Sequence, residues 1–323
     1  MSTPTKDTRK AAAINQFGGI EKMNVQTLSI PEINSDEILV RVESAGVGVW
    51  DPYELEGGFA EIMNIEPTFP YIPGADGAGT VVAVGNQASK FKKGDPVYGF
   101  SSFDGRTGFY TDYAVVKAEA ASLLPKGLSL ETAGAMPVDA MTALRGLDDS
   151  LGLKSGESIM IFGASGGIGH LALQLAKRMG ARVFAVASGA DGVSFAKQLG
   201  ADAVVDGHKD DVAAAARKFA PDGLDAALLT AAGPIAEKAL SALKKGAKVA
   251  YPNGVEPAPA VRSDIIVTVY DGIPDQEAID KLNRLIESGP FQVHVAHAYP
   301  LDEVTKALED LNTHYLGKLA LTV

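Results

Sequence analysis

The chain has 323 residues, 46% apolar and 21% charged, which is too long for one ordinary core and too apolar for disorder, so about two domains are expected. A formal charge of −11 argues against nucleic acid or an anionic membrane as partner, because phosphate binding needs concentrated Lys and Arg. The absence of cysteine excludes disulfides, thiolate metal sites and a cysteine nucleophile.

Residues 1–9 are expected to form a frayed tail. The start, "MSTPTKDTRK", is polar, with no apolar region behind a basic end, so it does not read as a signal peptide. No apolar run approaches the ~18–20 residues of a membrane span, and a cytoplasmic, soluble protein is expected. From Lys10 to Leu124 short β-like runs alternate with turn signals: "EILVRVESAGV" (37–47), "GTVVAVG" (79–85), "DPVYGF" (95–100) and "DYAVVKA" (112–118), separated by "IPG", "KKGD" and "DGRTG". This part reads as a small barrel or sandwich.

The character changes near Pro125. Residues 128–153 have helical spacing, with Ser129 as candidate N-cap. Strands and helices then alternate: strands at 158–162, 182–187, 203–206, 225–230 and 247–251, helices at 167–179, 192–199, 211–219 and 235–244. Short, continuously apolar strands alternating with helices predict a parallel sheet buried on both faces. The run "IIVTVY" (265–270) is a further strand, an edge or an interior one, and 275–289 an amphipathic helix. A helix and a strand close the chain, and that strand could return to the first domain's sheet.

Between the strand at 158–162 and the helix at 167–179 lies "GASGGIGH" (163–170). In such a unit glycines permit a tight turn, let backbone N–H groups approach a pyrophosphate, and let helix and strand pack closely. The helix N-terminus then offers free N–H donors and partial positive charge. Gly163, Gly166 and Gly169 follow a spacing of three, with Gly167 extra, and Ser165 and Ile168 complete the loop. The next strand ends at Ala187 and Ser188, where a carboxylate would bind the ribose of NAD and repel a 2′-phosphate. A short hydroxyl favours NADP(H). Asp191 is the alternative ribose ligand, or the first-turn acid of the next helix. Lys209 and Arg217 are distant candidates for a cation at the phosphate, or ordinary surface charges. The loops "LLTAAGP" (228–234) and "YPNG" (251–254) follow later strands and should face the cofactor, which brings in Thr230 and Asn253.

The chain resembles the medium-chain dehydrogenase/reductase superfamily, most closely its zinc-free quinone oxidoreductase branch. The resemblance runs from about Lys10 to Val323 through "FPYIPGADGAGTVVAVG" (69–85), "FKKGDPVYGF" (91–100), "AGAMPVDAMTALRGL" (133–147), "GESIMIFGASGGIGHLALQLAKRMGARV" (156–183), "FAKQLGADAVVD" (195–206) and "LGKLALTV" (316–323). It implies an α/β fold in which a Rossmann-type doubly wound parallel sheet (125–262) is inserted into a β-rich GroES-like catalytic domain (1–124 and 263–323). Zinc-dependent members place a Cys where this chain reads "SAGVGVWD" (44–51), and Gly-His-Glu where it has Gly74, Ala75 and Asp76. His294 and His297 are close in sequence, but no third nitrogen or sulfur ligand accompanies them, so no metal is expected.

Branch relatives use NADPH to reduce quinones or the C=C bond of enones, so the resemblance implies metal-free hydride transfer to a small electrophilic acceptor. The family's Gly-Val-Asn-Pro-x-Asp reads here "GVGVWD" (46–51): Gly48 replaces the Asn that meets nicotinamide or substrate, and Asp51 is retained. Trp50 and Tyr53 lie where relatives line the substrate pocket. Tyr53 is a candidate donor to a developing oxyanion or a structural tyrosine, and Thr142 matches a family threonine near the nicotinamide or is a helix residue bonded to its own main chain. Asp139 replaces a small residue. The competing function is an NADPH-binding redox sensor or structural protein without turnover, since fold does not establish function. Relatives also dimerise through edge strands, which allows a homodimer.

Overall fold

A computed structural model describes residues 8–323. The predicted tail lies outside the described residues up to residue 7; Thr8 and Arg9 open the first strand. That strand, β1 (Thr8–Ala13), pairs antiparallel with β2 (Asn24–Ser29). Next come β3 (Glu37–Val47), helices α1 (Asp51–Leu55) and α2 (Gly58–Ile62), and strands β4 (Asp76–Val84), β5 (Pro96–Phe100), β6 (Tyr113–Lys117) and β7 (Ala121–Leu123). The hub is β3. It pairs β4 along most of its length, β6 through its first half and the final strand of the chain through its last residues. Ile38, Val40, Val42, Tyr71, Val97 and Leu321 lie in one buried cluster around it.

The helix predicted over 128–153 is interrupted. It forms α3 (Leu130–Ala133), α4 (Pro137–Arg145) and a π-helical turn, Gly146–Ser150. Proline lacks the N–H an uninterrupted helix would need at 137, and it starts α4 instead. The alternation that follows matches the predicted order: β8 (Ser158–Phe162), α5 (Gly167–Arg178), β9 (Arg182–Ala187), α6 (Gly189–Gln198), β10 (Ala203–Asp206), α7 (Val212–Phe219), β11 (Leu224–Leu229), α8 (Pro234–Ala239) and β12 (Leu243–Pro252). Only α8 falls clearly short of expectation, because β12 already starts at Leu243. After β13 (Ile266–Tyr270) and α9 (Gln276–Glu287) come β14 (Val295–Pro300), α10 (Val304–Glu309) and β15 (Lys318–Thr322).

The second sheet has the order β10-β9-β8-β11-β12-β13, all parallel. Strand order reverses between β8 and β11, the point outside which doubly wound sheets bind ligands. Strand β15 pairs antiparallel with β3, so the chain does return to its first sheet. One compact unit runs up to Val138 and resumes at Val293–Val323; the other is Asp139–Gln292. These limits differ from the boundaries expected at 124/125 and 262/263. Residues 130–133 pack on β3 and β4, whereas β13 hydrogen-bonds to β12 as the sixth parallel strand and α9 lies against α5.

Candidate active site

The glycine loop stands at the switch point. Gly163 has φ +86°, which a side chain rarely adopts, and a Cβ there would lie 2.3 Å from Thr230 Oγ1. Thr230, at the end of β11, donates to the carbonyl of Phe162 at 2.9 Å. Two residues predicted separately as cofactor ligands therefore meet at the ends of adjacent strands. At Gly169 a Cβ would fall 2.0 Å from the carbonyl oxygen of Gly163, so helix and loop touch at van der Waals limits. Gly166 differs: it is the N-cap of α5, and a Cβ would meet only the Gly163 carbonyl, at 3.5 Å. No side chain caps α5 and no acid occupies its first turn, which holds Gly167 and half-buried Ile168. An anionic group is what such a terminus favours.

Buried Ser165 turns toward β9, its Oγ accepting the Ser188 N–H at 3.5 Å. Ser188 is the N-cap of α6, yet its side chain makes no bond to that helix. Its hydroxyl is 3.0 Å from His208 Nε2 instead. Asp191 lies in the first turn of α6 and accepts the N–H of Gly192 at 2.9 Å. Of the two distant cations, Arg217 is bonded to Ser241 Oγ at 2.8 Å, while Lys209 Nζ is 3.7 Å from Asp206 Oδ2. His208 was not singled out by sequence reasoning; its signal was its position immediately past the end of β10.

At the far strands, Asn253 Nδ2 donates to Asp271 at 2.7 Å, tying the loops after β12 and β13 together. Thr142, 6% exposed on α4, packs on the second of these loops: a Cβ at Gly272 would lie 2.1 Å from its Oγ1. One turn on, Gly146 makes room for Tyr270, whose hydroxyl would be 2.3 Å from a Cβ there. That hydroxyl is buried and has no hydrogen-bond partner. Burial alone raises its pKa. Asp139 is buried.

The substrate-pocket candidates belong to the first unit. Gly48 is backed by the indole of Trp50, because a Cβ at 48 would stand 2.3 Å from Trp50 Cε2. Lys318, itself 3% exposed, holds its ammonium 4.5 Å from the centre of that ring. Asp51 accepts the Gly48 N–H at 3.0 Å and the hydroxyl of Tyr110, which fixes the turn entering α1. Tyr53 is 43% exposed, with its ring over Gly58 and edge-on to Phe59. Beneath it, Glu54 is 1% exposed and accepts from Tyr71 Oη at 3.0 Å and the Gly74 N–H at 3.3 Å. Burial, reinforced by the charge of Asp51, pushes the Glu54 carboxyl up to about 8. This buried acid was not anticipated, because its partners lie 17 and 20 residues away in sequence.

Asp76, where zinc-dependent relatives place the Glu of Gly-His-Glu, accepts the Val138 N–H at 2.8 Å. Among the described residues no group of three or more His, Cys, Asp or Glu could hold a metal ion.

Residues 34–126 match the alcohol dehydrogenase GroES-like domain, and residues 167–262 the zinc-binding dehydrogenase family. A quinone oxidoreductase from Pongo abelii is 31% identical over 323 residues, 96% of this chain and 96% of the relative. An NADPH-dependent alkenal/one oxidoreductase, chloroplastic, from Arabidopsis thaliana is 30% identical over 322 residues, 97% of this chain and 79% of the relative. The solved quinone oxidoreductase from Coxiella burnetii superposes with a TM-score of 0.83 at 24% identity, covering 98% of this chain and 99% of that one, which is a likeness of fold. With a glycine loop at the switch point of its parallel sheet and the zinc ligands replaced, the chain belongs to the medium-chain dehydrogenase/reductase superfamily, in its quinone-oxidoreductase-like branch.

Proposed function

We propose that the protein is an NADPH-dependent oxidoreductase that delivers hydride, without a metal, to a quinone or to the C=C bond of an enone-type acceptor. The observation that carries this is the end of β9, where Ser188 and His208 stand at the position an NAD site fills with a carboxylate. The relatives named for quinones and for alkenals and alkenones supply the acceptor class. Such acceptors are electron-poor at carbon or across the quinone ring, so they need no Lewis acid to receive hydride. NADPH supplies the hydride when bound. The loop 163–169 offers the backbone donors and the α5 N-terminus for its pyrophosphate, Thr230 fixes the loop, and the phenol of Tyr53 is exposed enough to donate to a developing oxyanion.

One observation favours turnover-free cofactor binding instead: the donor lost at Gly48 has its space taken by Trp50. Titration with NADPH and NADH, followed by NADPH oxidation with and without a quinone or enone, separates the two readings. Tight NADPH binding with acceptor-dependent oxidation is expected. Binding without oxidation across both acceptor classes would leave the sensor, and no binding of either nucleotide would overturn both.

The proposal includes a homodimer formed through β13. This strand is the edge of the parallel sheet and exposes Ile266, Val267 and Val269. Val267→Lys should shift the sedimentation mass to that of a monomer; an unchanged mass would rule this edge out. A cytoplasmic location is part of the same proposal, and cell fractionation tests it. Among the described residues no helix is long and apolar enough to cross a membrane.

A further inference from the structure

We propose that His208, paired with Ser188, is the seat of the 2′-phosphate of NADPH and the residue by which this chain discriminates NADPH from NADH; the inference rests on the NADPH reading above. A serine at a helix N-cap ordinarily turns its oxygen back onto the N–H groups of its own first turn. Ser188 does not: it makes no cap bond, and its hydroxyl faces His208 Nε2 at 3.0 Å. The first-turn N–H groups of α6 therefore have no cap from Ser188, and an imidazole stands beside them. The Gly189 and Gly192 N–H groups are taken by Asp206 and Asp191, so the Ser188 hydroxyl and the imidazole beside it are the side-chain groups that this end of β9 offers an anion.

The main chain that carries the imidazole is anchored at the end of β10. Asp206, 6% exposed at the end of β10, accepts the His208 N–H at 3.0 Å and the Gly189 N–H at 3.4 Å through one oxygen. Lys209 lies 3.7 Å from its other oxygen. The remaining nearby carboxylates are turned onto main-chain donors: Asp210 accepts the Asp206 N–H at 2.8 Å, and Asp191 accepts the Gly192 N–H at 2.9 Å. Arg217 is engaged with Ser241. His208 is thus the side chain that the hydroxyl at the end of β9 meets, and its ring is exposed.

Calorimetric titration with 2′,5′-ADP and 5′-AMP isolates the phosphate from the nicotinamide and from turnover. The wild-type protein should bind 2′,5′-ADP more tightly than 5′-AMP. His208→Ala should weaken 2′,5′-ADP about tenfold and leave 5′-AMP unchanged, since a charge-assisted hydrogen bond is lost at an exposed site. His208→Lys should restore most of the preference. If His208→Ala remains as selective as wild type, the assignment of His208 fails while the NADPH reading stands. If wild type itself binds the two probes equally, the NADPH reading fails and this inference with it.

Discussion

Replacing Glu54 by Gln should change how stability depends on pH. The Glu54 carboxyl is 1% exposed and is pushed from 4.5 up to about 8 by burial first and the Asp51 charge second, against the opposing hydrogen bonds from Tyr71 and Gly74. The folded protein therefore holds a proton that the unfolded chain releases. A group with a raised folded-state pKa contributes stability fully below its unfolded value and loses that contribution as pH rises through the folded value. The window here is 4.5 to about 8, and the shift across it corresponds to at most about 5 kcal/mol, at ~1.4 kcal/mol per pH unit. Glutamine has the same shape and nothing to titrate. Urea unfolding of both proteins at intervals between about pH 5 and about pH 8.5 measures the difference. Groups common to both cancel in it. Wild type should lose stability relative to Glu54→Gln steadily up to about pH 8. Parallel curves, with a difference that does not change with pH, would refute a neutral Glu54 in the folded protein.

Four further outcomes follow from local packing. Tyr270→Phe removes a buried hydroxyl with no partner and should stabilise by about 1 kcal/mol. Gly146→Ala should destabilise by about 1–3 kcal/mol through overpacking on the Tyr270 phenol and Leu228, and the double variant should recover only part of that penalty because Cζ at 2.7 Å and Leu228 at 2.8 Å remain, as urea midpoints would record. Gly166→Ala, whose Cβ meets only an atom at 3.5 Å, should melt like wild type yet bind NADPH about tenfold more weakly, whereas Gly169→Ala, with 2.0 Å to the Gly163 carbonyl, should lower the melting temperature as well. Lys318→Met removes the ammonium over the indole and should cost about 1–2 kcal/mol. Trp50 is the chain's single tryptophan, so its emission maximum should move in the same variant.

What could be seen from sequence was whatever depends on main-chain geometry. The run Ser158–Phe162 followed by Gly163 needs a buried strand, a left-handed turn and a helix, and the loop has that form. The same holds for the parallel strand order, since apolar strands alternating with helices leave few other ways to cover both faces. Contacts made across long sequence separations were not visible. Nothing local links Glu54 to Tyr71 or Gly74, and the helical turns at 51–62 sit in a stretch whose Gly and Pro content resembles the surrounding turns. Sequence brings attention to the end of β10 through Lys209, but which side chain there meets Ser188 is set by the parallel pairing of β9 and β10, and it is His208. The unit boundaries moved for a related reason. Whether β13 extends one sheet or another is decided by its pairing with β12, and an apolar run of that length fits either.

Gly48 and Trp50 are best understood as one change rather than two. A side chain at 48 would need the volume that the indole now fills, since Trp50 Cε2 is 2.3 Å from the position of its Cβ. Restoring the family's Asn at 48 alone would therefore displace the ring, and the ring carries Lys318 with it at 4.5 Å. A hydrogen-bonding amide has been exchanged for an aromatic face with a buried cation behind it. Such a surface favours a flat, polarisable molecule over one that depends on a single donor. In the proposed site such a face suits a quinone-type acceptor, and Trp50, not position 48, becomes the first residue to test for acceptor choice.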